Sequence, residues 1–484
     1  MVAMSNPPKI SATSSTEPRA NAVKSTKAVK ATKAVKATKA RTTKATQRST
    51  ASATPAADPT GEGGAGRGHG RGAGRAGGRR LGLYNRQLQR NNERWPLAAG
   101  LVSWLFRRPE LVLALLGKQA PIQVNGRVLN RSTQAMLEVS KRLESVTGRG
   151  DMGDGLGDPV VMRKQLQRMA LIAMPIRTDV HVVGRLIPAA DSPRGSSGIP
   201  VRIYRRFGTG LGAGVGLGTR PPAIVYYHGG GWVTGDLISH DASCRLLAAV
   251  SGCVVVAVDY RLAPEDPFPA AVDDALAAYA WVCGHAEELG IAEDRVGVMG
   301  DSAGGNLAAV VALLTRKGAS VPTASAKAST TGSAGTAAPG IPSPFAQGLI
   351  YPGLSTRFDS ESMRIFSEGF FLTLQSMKGF RRTYLPDQSD WELDAASPLL
   401  AAEVDGVAPA LVVTAGFDPL RDEGQAYANK LKSAGVDVEY RCYDDQVHGF
   451  FNMGILADSL ALSIEVCDTM GRLMHRADPT QTEE

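Results

Sequence analysis

The chain has 484 residues, 43% hydrophobic and 21% charged, with a formal net charge of +8. That charge is unevenly placed: residues 1–80 hold 16 Lys and Arg against Glu17, Asp58 and Glu62, or +13, so the other 404 residues carry −5. The pI near 9.2 is thus set by one end of the chain, which excludes reading it as a basic binding face spread over the folded part.

At that end stands a repeat, KAVKATKAVKATKA over residues 27–40, followed by a glycine-arginine run, GRGHGRGAGRAGGRR, over 66–80. With almost no large apolar side chains, residues 1–80 cannot bury enough surface to offset the entropy of ordering them, and a disordered basic tail is expected. Two readings of it stand level. Spaced lysines and arginines on a flexible chain suit weak, nonspecific binding of nucleic acid or an anionic membrane, through charge and counterion release. The other reading is a solubilising or targeting leader, or a start placed too far upstream. The tail is acid-poor and Ser/Thr/Ala-rich, as transit peptides are, and it lacks the apolar core of a secretory signal.

Residues 95–117, WPLAAGLVSWLFRRPELVLALLG, form the most apolar stretch, interrupted by Arg107, Arg108, Pro109 and Glu110. Neither half approaches the roughly 20 residues that span a bilayer. Two short helices are expected, packed on the main domain or lying at a membrane surface or acyl pocket. Residues 81–175 are read as an N-terminal helical cap segment, and 176–484 as the main domain.

From residue 179 eight short β-rich runs follow: DVHVVGRLI and IPVRIYRR, close together as an antiparallel pair, then PAIVYYH, CVVVAVDY, RVGVMG, AQGLIY, PALVVTAG and VDVEYRCY. The last six include continuous apolar runs with helical patterns between most of them, so a mainly parallel eight-stranded sheet with helices on both faces is expected. Such sheets place their chemistry at the carboxyl ends of strands. Low-complexity loops are expected before the third run, at 207–220, and at 315–344.

Reactive groups follow three of these strands. GDSAGGN carries Ser302 between glycines, a pattern that serves equally for a cramped catalytic turn or for close packing. Asp418 lies directly past PALVVTAG, and His448 lies in a turn after the last strand. A serine hydroxyl needs a base to take its proton, and that base needs a third group to orient it. Ser302, His448 and Asp418 supply all three, in the chain order Ser, Asp, His of an α/β-hydrolase. Asp422 is a rival acid, expected to fall inside the next helix and point away.

HGGGW (residues 228–232), DYRLAPE (259–265), GDSAGGN, DPLRDEG (418–424) and HGF (448–450), in this order, resemble the hormone-sensitive lipase family of α/β-hydrolases in its bacterial-type esterase branch. The resemblance runs from about the mid-100s to the C-terminus. It implies an α/β-hydrolase fold with a helical cap, and a serine carboxylesterase working through an acyl-enzyme on short- to medium-chain esters. It further implies that Gly230 and Gly231, with Ala303, donate backbone N–H groups to the tetrahedral oxyanion, each typically contributing about 3 to 4 kcal/mol of transition-state stabilisation. His228 would brace the glycine loop, and Glu265 would be a structural carboxylate near the serine. The family often has histidine after that glutamate, where this chain has Asp266.

Substrate choice is expected from a cap made of the N-terminal segment and a second segment, residues 355–400. Trp232, Phe366, Phe370, Phe371 and Leu372 are acyl-pocket candidates, with packing inside the cap as the competing role. His240 and His285 are expected as surface or satisfied core residues. No His/Cys/Asp cluster argues for a metal, and no cofactor is expected. Cys244, Cys253, Cys283, Cys442 and Cys467 are scattered and odd in number, reading as free thiols in a reducing compartment, hence a cytoplasmic location, peripheral to a membrane if the tail engages one. Competing functions are a lipase on longer chains or an amidase of the same fold, and a non-catalytic receptor or nucleic-acid-associated protein.

Overall fold

A computed structural model describes residues 96–147, 156–175, 177, 179–193, 196–208, 220–316 and 340–476. The basic tail and most of both low-complexity insertions lie outside the described residues.

The described part of the N-terminal segment holds four helices, α1 (Pro96–Phe106), α2 (Pro109–Leu115), α3 (Arg131–Thr147) and α4 (Pro159–Ala173). Between α2 and α3 a two-stranded hairpin, β1 (Gln123–Val124) and β2 (Arg127–Val128), was not anticipated; its strands are only two residues long and carry no periodicity to read. Its turn is Asn125-Gly126, both at positive φ, the dipeptide suited to tight hairpins. Helix α3 starts where Asn130 Oδ1 accepts the N–H groups of Ser132 and Thr133.

All eight expected runs are strands: β3 (Val180–Ile187), β4 (Ile199–Arg206), β5 (Ala223–Tyr227), β6 (Val254–Val258), β7 (Val296–Asp301), β8 (Gln347–Ile350), β9 (Ala410–Phe417) and β10 (Val438–Val447). They form one sheet in the order β10-β9-β8-β7-β5-β6-β4-β3. Pairs β3/β4 and β4/β6 are antiparallel, and the rest are parallel. The central strands are buried throughout because the sheet is covered on both faces, and side chains alternate between two cores. Val254, Val256 and Val258 of β6 join the core under α6 (Ala270–Gly284), α8 (Ala303–Leu314) and α11 (Arg421–Ser433). Val255 and Ala257 face the core under α5 (Asp241–Ser251) and α12 (Ala457–His475). The short α7 (Ala286–Leu289) extends α6.

A third apolar cluster joins Phe106, Leu113, Leu129 and Leu137 of the N-terminal segment to Phe366, Phe417 and Val447. Phe417 and Val447 immediately precede Asp418 and His448, so this cluster packs against the bases of both loops. The second inserted segment contributes α9 (Glu361–Ile365) and α10 (Leu374–Tyr384), the latter started by a Thr373/Ser376 capping box.

Candidate active site

Strand β7 ends at Asp301, and Ser302 turns the chain into α8 at φ 56° and ψ −118°. This is left-handed backbone on a non-glycine residue, a strain found where surrounding structure imposes it. The surrounding glycines permit the turn. A Cβ on Gly300 would lie 2.3 Å from the carbonyl oxygen of Gly304, and one on Gly304 would lie 1.9 Å from that of Tyr227. Close packing and a sharp serine turn are therefore the same feature. The Ser302 N–H donates to the carbonyl of Ile350 at 2.9 Å, tying the turn to β8.

Three strand ends meet here. His448 Nδ1 lies 2.8 Å from Asp418 Oδ2, and Nε2 lies 3.0 Å from Ser302 Oγ. An ionised carboxylate selects the tautomer with its proton on Nδ1, which leaves Nε2 to accept from the serine hydroxyl. Asp418 is fully buried, and its second oxygen accepts the N–H of Leu420 at 2.8 Å. The ring of Tyr351 packs 4.6 Å from that of His448. Asp422 sits in α11, where its carboxylate accepts the N–H of Ser362 at 2.7 Å and Nε of Arg421 at 2.8 Å; it anchors the second inserted segment.

The glycine loop after β5 approaches the same turn. Gly230 and Gly231 have φ of 122° and 62°, values that suit glycine. A Cβ on Gly231 would fall 2.3 Å from the ring of Phe380, so glycine is needed there on steric grounds too. Ala303, at the first position of α8, has an N–H for which helix geometry provides no partner four residues back. His228 lies beneath the loop: Nδ1 contacts the Gly229 carbonyl at 2.9 Å, and the ring stacks on Tyr260 at 4.2 Å. Burial and the adjacent His240 lower its pKa to about 4, so the ring is neutral at ordinary pH and suits bracing rather than base chemistry. His240 is itself buried, with Ser239 Oγ at 2.9 Å and Asp301 Oδ1 at 3.5 Å, and His285 contacts the Trp281 carbonyl at 2.8 Å.

Glu265 is half exposed and pairs with Arg163 of α4 at 2.7 Å. Arg163 also donates to the carbonyls of Val233 and Ala263, so Glu265 bears on the glycine loop through this arginine. The sequence could not show this, because the partner lies 102 residues away.

A cavity of about 60 Å³ opens at Ser302, lined by Gly231, Trp232, Leu372, Met377, Phe380, Arg381 and Leu420 among others. Of the five pocket candidates, Trp232 and Leu372 line it. Phe366 and Phe370 do not: they pack on each other and on Phe417, with centroids 5.3 to 5.5 Å apart, inside the third core. Phe371 is 51% exposed. Trp232 stacks on Tyr384 of α10 at 4.6 Å and an interplanar angle of 7°. Of the lining residues missed in the sequence, Met377, Phe380, Arg381 and Leu385 follow the helical spacing of one face of α10 and its end. That periodicity was the available signal.

Among the described residues, no group of three or more His, Cys, Asp or Glu is placed to hold a metal ion, and no helix is long and apolar enough to cross a membrane. All five cysteines are free. Burial pushes the Cys253 thiol up to about 12.

Residues 224–452 match the model of a family with the alpha/beta hydrolase fold. The chain is 39% identical over 344 residues to the carboxylic ester hydrolase LipN of Mycobacterium tuberculosis, covering 70% of this chain and 81% of that one. It is 35% identical over 271 residues to the ethyl acetate hydrolase of Pseudomonas putida, covering 54% and 74%. Among solved structures, an ester hydrolase from the metagenome of Lake Arreo, complexed with a bipyridine phosphonate derivative, superposes with a TM-score of 0.57 at 36% identity, over 71% of this chain and 98% of that one. A thermostable esterase from Pseudomonas putida gives 0.60 at 31% identity, over 74% and 100%. With a serine, a histidine and an aspartate linked at the carboxyl edge of an α/β sheet, and with relatives of this kind over most of their length, the chain belongs to the hormone-sensitive lipase family of α/β-hydrolases and is a carboxylic ester hydrolase.

Proposed function

We propose that Ser302 is the nucleophile, His448 the general base and acid, and Asp418 the group that orients His448. The observation that carries this is the continuous chain of contacts from Asp418 through His448 to Ser302 Oγ, at 2.8 and 3.0 Å. Ser302 Oγ attacks the ester carbonyl as its proton passes to His448 Nε2, and the imidazolium is stabilised by Asp418. The N–H groups of Gly230, Gly231 and Ala303 stabilise the oxyanion. Collapse of the tetrahedral intermediate breaks the bond to the alcohol, which leaves with the proton from Nε2. Water, activated by His448, then hydrolyses the acyl-enzyme and restores the serine.

A cavity of about 60 Å³ suits a short acyl group, a water needing about 10 to 15 Å³ by the same measure. The name of the ethyl acetate hydrolase relative points the same way. The N-terminal segment and residues 355–400 form the cap, and the tail adds weak, salt-sensitive attraction to polyanions in a cytoplasmic, peripherally membrane-associated enzyme. Labelling with a fluorophosphonate and mapping the modified peptide tests the chemistry. Modification at Ser302, lost in Ser302→Ala together with ester turnover, is the expected result; turnover by that variant comparable to the parent would reject the mechanism.

A further inference from the structure

The wall of the reaction cavity contains a cation that the ester-hydrolysis chemistry does not use. Arg381, on α10, lines the cavity together with Ser302 and Gly231. Its guanidinium lies over the faces of Trp391 at 3.7 Å and Phe358 at 4.6 Å, and Phe358 lines the same cavity. One nitrogen, Nη1, donates to the Thr356 carbonyl, whereas Nε is buried without an acceptor. Glu392, next to Trp391 in the chain, pairs with Arg357, and Arg381 makes no ion pair with a described residue.

An unneutralised cation held in a mainly apolar wall is costly unless something offsets its lost hydration. Stacking on two aromatic faces offsets part of that cost and fixes the plane of the fork. Burial and the adjacent Arg382 both push the Arg381 pKa down, and no acid opposes them. A guanidinium presents five N–H donors in a fixed plane, and a carboxylate is the acceptor whose geometry and charge match that fork.

Resting on Ser302 as the nucleophile, we propose that the preferred substrates are small esters that also carry a free carboxylate a few atoms from the scissile carbonyl, bound by the guanidinium of Arg381. The carboxylate sits either on the acyl side, as in the monoester of a short dicarboxylic acid, or on the alcohol side, as in an acylated hydroxy acid. The cavity volume keeps the spacer short in both cases.

The test compares isosteric pairs at constant pH by titration of released acid: monoethyl succinate against ethyl 4-methylpentanoate for the acyl side, and 3-acetoxypropanoate against 3-methylbutyl acetate for the alcohol side. In the full chain at least one anionic member has the higher kcat/KM. Arg381→Gln lowers the anionic-to-neutral ratio of that pair by about tenfold to a hundredfold, and Arg381→Lys recovers part of it. A purely structural arginine would depress both members together and leave the ratio unmoved. Calorimetric titration of Ser302→Ala with succinate, with and without Arg381→Gln, gives a readout that does not depend on turnover. Arg381-dependent binding without hydrolysis of any ester would remove the catalytic reading and keep the anion site. Neutral esters preferred in both pairs, with ratios and succinate binding insensitive to Arg381, would overturn the proposal while leaving Ser302 chemistry in place.

Discussion

Asp301 Oδ1 accepts the backbone N–H of Gly229 at 3.0 Å, so the residue next to the serine holds the start of the glycine loop. The same carboxylate accepts from Tyr226 at 2.7 Å and, through Oδ2, from Asn452 at 2.9 Å, four residues past His448. Burial would raise its pKa, but His240 and the hydrogen bond from Tyr226 outweigh it and hold the carboxyl below its ordinary value. One buried anion thus ties together the serine turn, the glycine loop and the histidine turn. Asp301→Asn keeps the shape and sets an amide against the Asn452 amide, so a buried donor loses its acceptor. That costs about 1 to 3 kcal/mol of stability, and kcat falls with the misaligned loop more than KM rises. Thermal melts and steady-state kinetics check both, and an unchanged kcat would refute the linkage.

The two aspartates of DPLRDEG separate cleanly. Asp418→Asn removes the carboxylate that selects the productive tautomer of His448, and kcat falls by about a thousandfold or more. Asp422→Asn loosens the attachment of Ser362 and leaves most of kcat. Single-turnover rates on one small ester rank the pair, and the reverse order would transfer the acid role to Asp422.

Gly231→Ala places a methyl group 2.3 Å from the Phe380 ring at a positive φ. The loop must shift, and loss of one oxyanion donor lowers kcat by about a hundredfold to a thousandfold. Phe380→Ala in the same chain removes the clash but not the φ strain, so recovery is partial. Full activity in Gly231→Ala would show that this peptide does not face the oxyanion.

His228 gives the pH dependence of stability a defined sign. Its folded pKa of about 4 lies below the ordinary histidine value of 6.5, so between these values the unfolded chain binds the proton and the folded chain does not. Stability from this residue is complete above pH 6.5 and is lost as pH falls towards 4, up to about 3 kcal/mol. Asp273, raised by burial to about 6, contributes the opposite slope over part of the same window. Chemical denaturation from pH 4 to 7 should show a flatter acid limb in His228→Asn than in the parent. An identical limb in both proteins would mean that His228 is protonated in the fold.

Deleting residues 1–80 removes a charge of +13. Binding to DNA or anionic vesicles should weaken steeply with salt in the full chain and vanish in the truncated one. The kcat/KM for a small soluble ester should stay within about twofold, because every contact assigned to the chemistry lies outside that segment. Gel shift, vesicle sedimentation and esterase assays on both proteins decide the matter. Equal polyanion binding after truncation would place the site on the body.

Local sequence determined the sheet and the places where its chemistry would stand. The central strands were legible because burial on both faces demands continuous apolar runs, the half-exposed edge strands β3 and β10 because they are rich in β-branched and aromatic residues, and Ser302, Asp418 and His448 because each follows a strand. Gly230, Gly300 and Gly304 are equally local, since each answers a backbone approach within its own turn or to the adjoining strand, whereas the ring that crowds Gly231 comes from Phe380 of the inserted helix. What covers the site was decided by tertiary structure. Phe366 and Leu372 look alike as apolar cap residues, yet Phe366 is drawn into a core with Phe417 while Leu372 faces the cavity. Glu265 acquires its role from an arginine 102 residues earlier. Arg381 reads in the sequence as one more basic residue of GFRRTY, and only the packing of α10 over Ser302 sets its charge in the cavity wall without a partner. Apolar and charged side chains in an inserted helix are fixed by what lies opposite them, and nothing in their own neighbourhood of the chain records that.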